Sequence, residues 1–123
     1  MNDEHATRTL GDRTKDFAIR VIRMYLALPK NELARILGRQ VVRSGTSPGA
    51  HCREAFRARS DAELISKLET ALQELDETVY WFELLIASET VPAPLLEPLI
   101  AEADELMAII VTSVKTVKRR RRR

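Results

Sequence analysis

The chain has 123 residues, 45% hydrophobic and 31% charged, with four Gly and five Pro, which fits one soluble domain and excludes a low-complexity chain. A single cysteine, no apolar run of about 18 residues and a polar N-terminus exclude an internal disulfide, a membrane-spanning helix and a secretory signal, so a cytoplasmic protein is expected. The net charge of +2 is segregated: residues 1–59 carry 12 Lys+Arg against 6 Asp+Glu, residues 60–114 carry Lys67 against 12 acids, and residues 115–123 carry 7 cations and no acid.

Residues 1–12 are polar, lack periodicity and read as a disordered arm. The bundle proper is expected over 13–118, and 119–123 form a basic tail. Helix one is expected from Arg13 to Leu28. Phe17, Val21, Met24, Tyr25 and Leu28 mark one face, Ile19 and Ile22 widen it, and Pro29 follows its last turn. Helix two starts near Asn31, a good N-cap, and enters with Leu33, Ile36, Leu37 and Val41. Pro48 has no N–H for the residue four back. The helix is therefore expected to kink, or to break and restart with Ser47 as N-cap, before running on to about Arg59. Along it, Gln40, Ser44, Ser47, His51 and Glu54 recur at spacings of 4, 3, 4 and 3, a polar line where an apolar face should continue.

Helix three opens with Ser60-Asp61-Ala62-Glu63, a capping box. Its seam is read as Leu64, Leu68, Leu72, Leu75, Val79, Phe82 and Ile86, ending near Ser88, with Tyr80 and Trp81 beside it. Val91-Pro92-Ala93-Pro94 makes the third connection, and Pro98 fits only a first turn. Helix four carries Leu96, Leu99, Ala103, Leu106, Ile110, Val114 and Val117 on one seam. A second row, Leu95, Ile100, Met107 and Val111, predicts contact with another subunit as well as burial. No strand-like alternation appears. The expected fold class is all-α, an antiparallel up-down-up-down four-helix bundle.

The segments DFAIRVIRMYLALP and LGRQVVRSGTSPGAHCREAFRARSDAELISKLETALQELDETVYWFELL resemble the small bacterial four-helix-bundle proteins named after the intervening sequence of large-subunit rRNA genes. They are also similar to the accessory protein of diversity-generating retroelements. The resemblance covers about residues 14–118, and Arg43-Ser44-x-Thr46-Ser47-x-x-Ala50 with Arg53-Glu54-Ala55 is its most specific part. His51 stands where members of the family commonly carry Asn. The resemblance implies a closed homo-oligomer, a pentamer, without known enzyme activity. For the retroelement protein it implies binding to nucleic acid and to a reverse transcriptase.

The polar line reads either as a satisfied network of Arg43, Ser44, Ser47, His51, Glu54 and Arg57 that sets helix register, or as a functional pocket. In the first reading Glu54 pairs with Arg43 or Arg57. His51 and Glu54 stand i, i+3 in the reverse order of the di-iron bundle motif, and the only other histidine is His5, so no metal or cofactor is expected. Adjacent helical residues point about 100° apart, which leaves Cys52 an inert thiol rather than a partner of His51. The strongest binding signal is cationic: Lys115, Lys118, Arg119, Arg120, Arg121, Arg122 and Arg123, with Arg20, Arg23, Arg35 and Arg39 of helices one and two as further candidates. Alternatively the tail folds back on the acidic helices, or the basic half faces the acidic half of a neighbouring subunit. The sequence reads as a non-enzymatic, oligomeric nucleic-acid-binding or scaffolding protein, with a reverse transcriptase or RNA-processing protein as a possible partner. The alternative is a protein–protein adaptor without direct nucleic-acid contact.

Overall fold

The computed structural model describes residues 3–122, with side chains from Leu10 onward. It contains α1 (Asp3–Leu26), α2 (Glu32–Phe56), α3 (Asp61–Ala87) and α4 (Ala93–Arg121), and no strand among the described residues. Each helix packs on the next in sequence, and α1 also packs on α4, so the four surround one core. Met1, Asn2 and Arg123 lie outside the described residues.

The helix starts follow local chemistry. The Asn31 side chain accepts from the Ala34 N–H at 2.9 Å and the Ser60 hydroxyl from the Glu63 N–H at 3.1 Å, so each satisfies a donor that has no partner within its helix. Glu63 reaches back to the Arg59 N–H at 3.3 Å, one residue before the cap. Just beyond α3 and its C-cap Ser88, Glu89 stands in the left-handed region at φ 59, where glycine is usual. The Glu89 N–H donates to the Ile86 carbonyl and the Thr90 N–H to the Leu85 carbonyl, which ties off the last turn.

Three boundaries differ from the expected ones. α1 begins at Asp3 rather than Arg13, and Leu10, expected in the arm, is buried in the core. α4 continues to Arg121, so most of the tail is helical; the apolar seam carries the helix to Val117, and four further residues propagate it at little cost. Pro98 lies in the second turn of α4, not the first. It is exposed, so water can reach the Pro94 carbonyl that loses its helical donor.

α2 runs through Pro48 without a break, which removes the expected restart at Ser47. Pro48 leaves the Ser44 carbonyl without its helical N–H, and the Ser47 hydroxyl points to that carbonyl at 3.4 Å. Ser47 thus supports the helix from inside instead of capping a new one.

The α4 seam is buried at every expected position, Leu96 through Val117. The α3 seam is rotated from the expected one. Its buried row is Ile65, Leu68, Ala71, Leu75, Thr78, Phe82 and Leu85, while Leu64, Leu72, Val79 and Ile86 are half-buried at its edge. Small residues decide this. A Cβ added at Gly45 of α2 would sit 3.5 Å from Thr78 Cγ2, so the two backbones approach closely where Thr78 fits and a longer side chain does not. On α1 and α2, Ile19, Ile22, Leu33 and Ile36 are exposed, although they were expected to extend the buried faces.

Candidate nucleic-acid interface

The polar line of α2 does not form one network. Ser44 is fully buried, and its hydroxyl donates to the Gln40 carbonyl at 2.9 Å. The buried Thr78 hydroxyl lies 2.8 Å from Ser44 Oγ and 2.7 Å from the Glu74 carbonyl. Thr78 has one proton to give. Donating it to Ser44, which passes its own to Gln40, satisfies both hydroxyls in a buried α2–α3 contact. Sequence reasoning missed Thr78 because it stands one position from the assumed seam.

Arg43 turns to α3. Its Nε donates to Gln40 Oε1 at 3.1 Å, and its guanidinium pairs with Glu77 and lies 3.5 Å from Glu74. Trp81 Nε1 donates to the same Glu77 oxygen at 2.9 Å. Trp81 therefore fixes Glu77, and Glu77 fixes Arg43. Glu54 pairs with neither arginine expected for it. It is exposed and bonds Lys67 of α3 at 2.7 Å, and that bond holds its carboxyl below the usual carboxylate range. Arg43 stands three helical turns away, roughly 16 Å along the axis. Arg57, at the C-cap of α2, has no carboxylate partner among the described residues. His51 is half-buried with Nδ1 enclosed and unbonded. Burial pushes the Cys52 thiol up to about 12, which keeps it protonated and unreactive at neutral pH. No three or more His, Cys, Asp or Glu side chains gather as a metal site among the described residues.

The candidate cations fall into two groups. Arg23 and Arg35 flank the α1–α2 connection, with Arg20 and Arg39 further along the same helices; Arg20 is half-buried and the others are exposed. Lys115, Lys118 and Arg119–Arg122 lie at the far end, exposed on the last turns of α4. Arg120 bonds Asp61 at 3.2 Å, which places this end of α4 beside the first turn of α3 and the last turn of α2. Arg35 and Arg57 are about 33 Å apart along α2, so the two groups are separate surfaces. The α4 group has cationic neighbours: Arg53 and Arg57 of α2 line a groove at this end, together with Lys15 of α1, which sequence reasoning left out of the site. Arg13, next to them on α1, is engaged instead by Glu102 at 2.8 Å and Glu105 at 3.2 Å on α4.

These features define an all-α four-helix bundle with exposed cations at the C-terminal end of α4. The sequence matches the family model described as 23S rRNA-intervening sequence protein over residues 10–112, and the chain belongs to that family. Its fold matches the crystal structure of a protein of unknown function from the S23 ribosomal protein family of Bacteroides thetaiotaomicron. The two are 34% identical with a TM-score of 0.84, and the match covers 89% of this chain and 98% of that one. No curated protein matches the chain. No helix among the described residues is long and apolar enough to cross a membrane.

Proposed function

We propose that this protein is a non-enzymatic, oligomeric nucleic-acid-binding and scaffolding protein of the cytoplasm, which contacts RNA or DNA through the arginine-rich end of α4. One observation carries the reading. Lys118, Arg119, Arg121 and Arg122 are exposed and, among the described residues, have no carboxylate within ion-pair distance; only Arg120 is paired there. Such a group neutralises phosphates and releases counterions, which yields sequence-independent, salt-sensitive affinity. The family's association with 23S rRNA genes agrees with an RNA partner. The test is retention of labelled RNA and DNA at low salt, compared with a form lacking Lys118–Arg123. Loss of retention in the truncated form is expected, and a wild-type protein that binds neither would refute the reading.

The antiparallel course belongs to the same proposal. The contacts supporting it run in opposite directions along neighbouring helices: a Cβ at Gly38 meets Tyr25 and one at Gly45 meets Val21, while Arg43 pairs with Glu77 and Glu54 with Lys67. A bend of α2 at Pro48 is expected from its missing N–H. Self-association into a closed ring, a pentamer by resemblance, is supported by exposed apolar side chains on α1 and α2. Ile22 is 43% exposed, Leu26 71%, Leu33 47% and Ile36 52%. The same strip favours the second reading, an adaptor that binds a reverse transcriptase or RNA-processing protein without touching nucleic acid. A partner that stays bound through high salt and nuclease would favour the adaptor.

A further inference from the structure

A groove of about 530 Å³ runs between the N-terminal half of α1 and the C-terminal half of α2. Its size falls within the roughly 300–1,000 Å³ of ordinary ligand sites. Glycines set its shape. A Cβ added at Gly49 would lie 3.5 Å from the Thr14 carbonyl, so the two helices meet closely and form a floor, while a Cβ at Gly11 would meet nothing within 4 Å. The groove is therefore open above Gly11.

The side chains around this opening are of two kinds. Lys15, Arg53 and Arg57 are exposed, and none has a carboxylate within ion-pair distance among the described residues. Arg53, in the last turn of α2, and Arg57, at its C-cap, both line the groove. Phe56 lines the groove and is half-buried, packed against the core on one side. Among the described residues Asp12 is the only acid lining it, and it leaves a net positive charge. Cations spaced along a rim beside an aromatic face are what a single nucleic-acid strand needs: phosphates for the cations, a base for the ring. A duplex has no unstacked base to offer Phe56.

We infer that this groove binds a nucleotide of a single strand, with phosphates held by Lys15, Arg53 and Arg57 and a base packed against Phe56. The inference rests on the nucleic-acid reading above and adds a strand-selective subsite to it. The arginines of α4 lie at the same end of the bundle and supply the sequence-independent attraction. The groove supplies the preference for unpaired strands.

The test uses the full chain and fluorescence anisotropy with a labelled single-stranded oligoribonucleotide and the matching duplex. Two independent changes probe the groove. Arg53→Ala/Arg57→Ala removes the charges; Gly11→Leu fills the open space, keeps every charge and favours the helix. Each is expected to weaken single-strand binding roughly tenfold, the size of one lost stacking or phosphate contact, and to leave duplex binding nearly unchanged. Deleting Lys118–Arg123 is expected to weaken both forms alike. Adenosine monophosphate should compete for the single strand where equimolar inorganic phosphate does not; equal competition would mean a bare anion site and overturn the assignment of a base. Unchanged single-strand affinity in both groove variants would overturn the inference while leaving the α4 reading intact. Absence of any binding by the wild-type chain would remove both.

Discussion

Replacing Thr78 with valine removes one hydroxyl from a site that is completely closed to solvent. Shape and helix propensity change little, because both residues are β-branched. Ser44 keeps its 2.8 Å neighbour position but loses the proton it accepted, while its own proton still goes to Gln40. The expected cost is about 1 kcal/mol, the net value of one buried hydrogen bond. Ser44→Ala differs in kind. The Thr78 proton then turns to the Glu74 carbonyl at 2.7 Å, so no donor is stranded, and alanine is the better helix former. Its cost should be about 0.5 kcal/mol. The double variant strands nothing, so it should cost about 1 kcal/mol less than the sum of the singles. Urea unfolding followed by far-ultraviolet circular dichroism, at one protein concentration for all four proteins, measures the cycle; a 1 kcal/mol difference also moves Tm by about 4 °C. Additivity within about 0.3 kcal/mol would refute the hydroxyl chain as a coupled contact.

Two glycines should respond oppositely to the same change. Gly11→Ala enters open space and should stabilise by about 0.5–1 kcal/mol through helix propensity alone. Gly45→Ala places its methyl 3.0 and 3.1 Å from both methyls of Val21, a stiff side chain, and should destabilise by about 1 kcal/mol net; equal Tm shifts for the two would contradict the packing. Cys52 should resist a thiol reagent at pH 8 in the folded protein and react at once in denaturant. Burial pushes its folded pKa up to about 12, above that of a free thiol, so its contribution to stability is full below pH 9 and falls as pH rises towards 12, a trend that Cys52→Ala should lack.

How far the sequence could be read depended on how each surface is chosen. Helix number and the caps at Asn31 and Ser60 were legible because they rest on local spacing and local hydrogen bonds. The α4 seam was legible because a single row of large aliphatic residues stands there. On α3 two apolar rows compete, and the choice fell to the row with Ala71 and Thr78, whose small size lets α2 approach at Ser44 and Gly45. That depends on a partner helix, which spacing does not reveal. The same holds for the polar line. Gln40, Ser44 and Glu54 share a spacing, yet Arg43 chose Glu77 and Glu54 chose Lys67, because α3 presents those charges at the matching heights. The N-terminal arm was misjudged from polarity, since one buried leucine, Leu10, ties that turn to the core. The groove was invisible in the sequence because it is an absence, made by Gly11 and Gly49 on two different helices.

In the proposed function, exposed cations at the end of α4 bind nucleic-acid phosphates. The most direct measurement is the affinity of the full chain for a DNA duplex across a salt series, beside the form lacking Lys118–Arg123. Each phosphate contact contributes about −0.9 to the slope of log K against log salt. Lys118, Arg119, Arg121 and Arg122 have no carboxylate partner among the described residues, so removing them should flatten the slope by about 3 to 4. Parallel slopes for the two forms would contradict the account, because the phosphates would then be held elsewhere.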